Sequence, residues 1–200
     1  MKSYFFRFLA ILALLFMSHC SDDTGGINPD AAKANIRVIH AVHDSGTLNI
    51  EFESEVRTAT ISNLTYSMSS GYQLLDPGTY QVTTRSAGDT TAISYDEFTF
   101  DSGEDYTLFL NGPLSDDNHV DVFTIVDERD SDPTYVKLRF IHLSPDAPAV
   151  DVKINNASSQ PLFANVGIRD GRAYEPLPGG TYGFILTAAG QNERSGVQLF

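Results

Sequence analysis

Shifted against itself by 102 positions, the chain overlays Ile36–Phe98 on Leu138–Phe200 without a gap. Thirteen of the 63 aligned positions are identical. Arg37 meets Arg139, Ile39 meets Ile141, His40 meets His142 and Asp44 meets Asp146. Asn63 meets Asn165, Tyr72 meets Tyr174 and Leu75 meets Leu177. The run Gly78-Thr79-Tyr80 meets Gly180-Thr181-Tyr182, Ala87-Gly88 meets Ala189-Gly190, and Phe98 meets Phe200. Between these identities apolar residues face apolar residues, so the two segments carry one burial pattern. Self-similarity at a period this long means two whole domains in tandem, not a solenoid of short units.

Each segment reads as strands. Leu48, Ile50 and Phe52 alternate with Asn49 and Glu51, and Val150, Val152 and Ile154 alternate with Asp151 and Lys153. Alternation of period two is what a sheet with one buried and one wet face requires. Asp76-Pro77-Gly78 and Pro178-Gly179-Gly180 supply turns, since proline presets a negative φ and glycine accepts a positive one. No stretch after the leader sustains an i, i+3, i+4 apolar pattern, so the expected class is all-β. Eight strands are expected in the first copy, near 35–41, 48–53, 59–64, 71–75, 79–85, 92–100, 106–111 and 120–126. Short strands with turn signals every eight to twelve residues predict a β-sandwich. Tyr80 and Tyr182, each just after a Pro/Gly turn, are expected to tie a corner down through the hydroxyl.

Apolar residues make up 42% of the 200-residue chain, enough for two small cores, and the formal net charge is −13. A chain this acidic repels phosphate backbones, which excludes nucleic acid as a partner class. Cys20 is the only cysteine. No intramolecular disulfide can form, and the cores must hold without covalent staples.

The first twenty residues combine Lys2 and Arg7 with an apolar run from Phe8 to Met17, then Cys20. The run is shorter than the roughly 20 residues a bilayer-spanning helix needs, and it fits a secretory leader. A cysteine at the end of such a run resembles the lipobox of bacterial lipoproteins, with His19 where a small residue is usual. That resemblance implies cleavage before Cys20 and acylation of its thiol. Ser21-Asp22-Asp23 resembles the acidic export signal of surface lipoproteins of the Bacteroidota. Residues 21–34 then read as a flexible acidic tether, rich in glycine and proline breakers.

The first repeat is expected over 35–127 and the second over 135–200, with the charged run of residues 128–134 as linker. The second stops at Phe200, where its counterpart Phe98 still has two strands to come. It is therefore expected to be incomplete relative to the first by about thirty residues, and truncation is favoured over a site for strand addition.

At Ile141-His142-Leu143-Ser144-Pro145-Asp146-Ala147-Pro148-Ala149-Val150-Asp151-Val152 the chain resembles the bacterial and archaeal family known as domain of unknown function 4397. Leu162-Phe163-Ala164-Asn165-Val166 and Leu177-Pro178-Gly179-Gly180-Thr181-Tyr182 continue the match. The resemblance implies immunoglobulin-like sandwiches, often in tandem, on secreted or lipid-anchored proteins. It implies no activity. In the first copy Val42-His43-Asp44-Ser45-Gly46 lacks both prolines of the motif.

The residues that could carry chemistry are few. A histidine with a nearby carboxylate, His40 with Asp44 and His142 with Asp146, could form the orienting half of a hydrolytic triad. Repeated in both copies, and with no Gly-x-Ser-x-Gly elbow, the pairs read better as a fold signature in which local backbone is hydrogen-bonded. Pro145, Pro148 and Asp151 of the motif are read as structural too. Clustered oxygens at Asp101–Asp105, Ser115–Asn118 and the linker could attract calcium, but none has the spacing of an EF-hand, and acidic turns are ordinary on an acidic chain. No cofactor and no metal ligand set is expected. The sequence thus predicts a non-catalytic envelope protein, anchored in the membrane through acylated Cys20. Its sandwich modules would serve a protein or glycan partner or a structural role. A calcium-stabilised adhesion module is the alternative, and a hydrolase the more distant one.

Overall fold

The computed structural model describes residues 32–114, 118–129, 134–155 and 159–192. Cys20, Ser21, Asp22 and Asp23, with the rest of the residues expected to form a leader and most of those expected to form the tether and linker, lie outside the described residues. Every described element is a strand. The first eight are β1 (Ala34–His40), β2 (Leu48–Glu53), β3 (Thr58–Leu64), β4 (Gln73–Leu75), β5 (Gly78–Ser86), β6 (Ala92–Phe100), β7 (Asp105–Asn111) and β8 (Asp121–Val126). They form two four-stranded sheets, ordered β4-β1-β7-β8 and β3-β2-β5-β6. β1 and β7 run parallel, and all other pairs are antiparallel. This is the sandwich that the alternating pattern predicts. Ile36, Val38, Leu48, Ile50, Phe52, Tyr80, Val82, Leu108 and Leu110 fill the space between the sheets, each at most 2% exposed.

Among the described residues the second module has five strands. β9 (Tyr135–Leu138) pairs with β12 (Glu175–Pro178), while β10 (Val150–Ile154) lies between β11 (Pro161–Val166) and β13 (Phe184–Ala188). Its core is Val150, Val152, Phe163 and Val166, with half-buried Leu138, Phe140, Leu162, Phe184 and Leu186 packed around it.

Several strand pairings recur at one spacing along the chain. Ala34 faces Leu75 across β1 and β4, and Val136 faces Leu177 across β9 and β12. Leu48 faces both Leu64 and Ser86, and Val150 faces both Val166 and Ala188. Every one of these correspondences is an offset of 102. The identities explain themselves locally. Asn63 and Asn165 hold φ of 57° and 50°, the left-handed region that asparagine tolerates better than most side chains. Their N–H groups donate to the side chains of Asn49 and Asp151, both at 2.8 Å. Gly88 and Gly190 take φ of 88° and 75° at the turns that end β5 and β13. The Tyr80 hydroxyl donates to the Asp76 carbonyl at 3.0 Å, and that of Tyr182 to the Pro178 carbonyl at 2.7 Å. Both tie the corners as expected.

Candidate functional site

His40 closes β1, and His142 lies four residues beyond β9 in an isolated bridge with Ile168. His40 is fully buried, and its Nδ1 accepts from the Val42 N–H at 3.1 Å. That assignment leaves the proton on Nε2, which donates to the Gly46 carbonyl at 2.9 Å. His142 repeats this with the Ser144 N–H at 3.2 Å and the Pro148 carbonyl at 3.0 Å. Each imidazole therefore latches the six-residue turn that follows it, using both ring nitrogens. Ser45 Oγ sits 3.2 Å from His40 Nε2 and also donates to the Val42 carbonyl at 3.2 Å. This serine cannot be activated by His40, because Nε2 already carries its proton. Burial holds the His40 pKa below its ordinary value, opposed in part by the bond to Gly46.

The carboxylates of the two pairs are elsewhere. Asp44 is exposed and accepts from the Leu114 N–H at 2.9 Å, so it pins a distant loop. Asp146 is exposed as well. The local backbone of each turn is hydrogen-bonded by the histidine of the pair. Pro148 contributes the carbonyl that His142 grips. Asp151, 5% exposed, accepts from the Asn165 N–H and, at 2.9 Å, from the Gly190 N–H. It joins β10 to β11 and to the turn after β13. These motif residues are structural in their contacts.

The acidic stretches offered to calcium are otherwise engaged where they are described. Asp105 accepts from the Asn35 side chain at 2.5 Å and pairs with Arg129 at 3.2 Å. Asp101 accepts from the Tyr106 hydroxyl at 3.3 Å. Among the described residues no three acidic, histidine or cysteine side chains converge as a metal site. Residues 115–117 lie outside the described residues.

Sequence reasoning missed a polar cluster centred on Asp127. Its carboxylate is almost wholly buried. Oδ2 accepts from the Tyr72 hydroxyl at 2.6 Å and from the Thr107 hydroxyl, and lies 3.4 Å from an Arg37 guanidinium nitrogen. Oδ1 faces the second module, with the Tyr174 hydroxyl at 3.4 Å and Arg139 at 3.9 Å. The Arg37 guanidinium lies 4.7 Å from the Tyr72 ring centre, and that of Arg139 lies 3.9 Å from the Tyr174 ring centre. Arg129 covers the Tyr72 ring too, at 4.4 Å. Such cation–π contacts order both partners of a pair. Desolvation, followed by the bond to Asp127, pushes the Tyr72 pKa up to about 12. Desolvation raises that of Tyr174 as well. Arg37 and Arg139, like Tyr72 and Tyr174, stand among the identities at the 102-residue offset. That was the available signal.

A shallow cavity of about 220 Å³ opens at the other end of the β7–β8 pair, between Asn111, Gly112, Pro113, His119 and Asp121 of the first module and Pro145, Ile168 and Arg169 of the second. Arg169 closes one side by pairing with Asp121 at 3.0 Å.

No curated protein matches the chain. A family model does, over residues 34–153, from the first residue of β1 through the greater part of β10. The matched stretch holds the first sandwich, Asp127, and the His142–Asp151 motif of the second module. The chain belongs to the DUF4397 family, a domain of unknown function.

Proposed function

We propose that the protein is a non-catalytic envelope lipoprotein, anchored through acylated Cys20, that displays two copies of one β-sandwich unit. The copies serve to bind a protein or glycan partner or act structurally. The observation that carries the non-catalytic reading is the repeated histidine latch. In both modules Nδ1 accepts from a backbone N–H and Nε2 donates to a backbone carbonyl. A general base needs a free acceptor nitrogen within reach of the proton it removes, and neither histidine has one. The leader, with Cys20 after the apolar run, supports the anchored location. One acyl chain binds membranes only marginally, so stable anchoring takes two or more.

Fractionation of native envelopes tests the location. The wild-type chain is expected in the membrane fraction and Cys20→Ala in the soluble one. Retention of Cys20→Ala in the membrane removes the anchoring claim. Protease shaving of intact cells then separates surface display, in which the signal is lost, from a periplasmic orientation, in which it persists until the outer membrane is opened.

A further inference from the structure

β7 carries a burial pattern that one sandwich does not explain. Tyr106, Leu108 and Leu110 point into the core of the first module, yet Thr107, Phe109 and Asn111 on the opposite face are also buried. Phe109 is 4% exposed and stacks on Phe123 of β8 at 5.1 Å. The register sets Thr107 beside Ile125, Phe109 beside Phe123 and Asn111 beside Asp121, all on the outer face of the β4-β1-β7-β8 sheet. Such a face normally meets water and alternates in polarity. Here the second module lies against it. A Cβ on Gly171 would stand 3.6 Å from Ile125 Cγ2, Arg169 pairs with Asp121, and Arg139 donates twice to the Val126 carbonyl at 3.0 Å.

We propose that this outer face is a docking surface for the second module, and that Asp127 is a two-sided lock fixing the relative orientation of the modules. On one side the carboxylate closes the first module, through Arg37, Tyr72 and Thr107. On the other it receives Arg139 and Tyr174, the same residue pair at the same repeat positions. An Arg–Tyr pair is therefore a receptor for the carboxylate at the exit of a module's last strand. The geometry explains why one charge can be buried here. Its two oxygens meet donors from both modules, and a buried carboxylate is tolerated only when it is so matched. The inference stands on these contacts and not on the proposed location or anchoring.

The test must separate the lock from the folding of the first module, because Asp127 serves both. Arg139→Gln and Tyr174→Phe touch only the second module's side. Nitroxide labels at Ser62→Cys and Gln160→Cys, in the full chain with Cys20→Ser, report the inter-module distance by pulsed electron resonance. A single narrow distance peak is expected for the unmodified joint. Arg139→Gln and Tyr174→Phe are expected to spread it with no change in the melting of the first module. Asp127→Asn is expected to spread the peak and also to lower that melting temperature. A broad distribution before any joint substitution overturns the proposal. So does a peak that stays narrow in both second-module variants, which would leave Asp127 as a residue of the first module alone.

Discussion

A neutral imidazole, and not an imidazolium, is what the turn after β1 requires. The Nδ1 of His40 must accept from Val42, and protonation would set two N–H groups against each other in a fully buried site. The folded-state pKa lies below the ordinary 6.5, with burial as the leading cause. Folding therefore excludes a proton that the unfolded chain binds. The stability so contributed is present above the ordinary value and lost as pH falls from there through the lowered folded value. Heat-unfolding midpoints of the wild type are expected to drop between about pH 7 and pH 5, before most carboxylates titrate. His40→Gln is expected to flatten that part of the profile and to cost about 1–3 kcal/mol at neutral pH, the price of unpaired backbone groups. Parallel profiles for the two proteins would assign the pH response to other groups. The histidine was legible from its recurrence at 102 residues. That it bonds local backbone was legible too; which backbone groups it takes was not, because backbone donors and acceptors leave no mark in a sequence.

At the scale of the element, strands with one wet face were the readable ones. β2 was placed from Leu48, Ile50 and Phe52 alone, since alternation records directly which side meets the core. β7 follows a different logic. Its near-continuous burial reflects a second layer on its outer face, and nothing in residues 105–111 says what covers them. Asp127 was hidden for a similar reason. It follows β8 at the edge of a charged run, and its partners are 12 to 90 residues away. Asp151 offers a sharper test of an element's attachments. Its two oxygens hold the N–H groups of Asn165 and Gly190, so Asp151→Ala strands two backbone donors beside a small core. A loss of about 2–3 kcal/mol is expected in chemical denaturation, in the range of hydrogen bonds to a charged group. Asp151→Asn keeps one acceptor, as Asn49 does for Asn63 in the first module, and is expected to cost about half as much. Equal losses for the two variants would place the role of Asp151 in its charge.

The molecule as a whole has two cores of unequal quality, joined on one face. In the first, Ile36, Val38 and Val82 are at most 1% exposed; their counterparts Leu138, Phe140 and Phe184 are only half-buried. Hydrophobic stabilisation follows the apolar area removed from water, so the second module is the weaker and should melt first. The dependence between the modules is expected to run one way. The first closes its core from its own two sheets, whereas the second rests on the outer face of β7 and β8 and on Asp127. Phe163→Ala empties the second core and is expected to remove about 3–5 kcal/mol. It should lower the first calorimetric transition and leave the second in place. Leu108→Ala opens a cavity in the first core, at a cost of about 2–5 kcal/mol. It should lower both transitions, because the surface on which the second module is seated loses its support. A lower transition that stays fixed in Leu108→Ala would show the second module to be stable without its neighbour, and the shared face to add orientation but no stability.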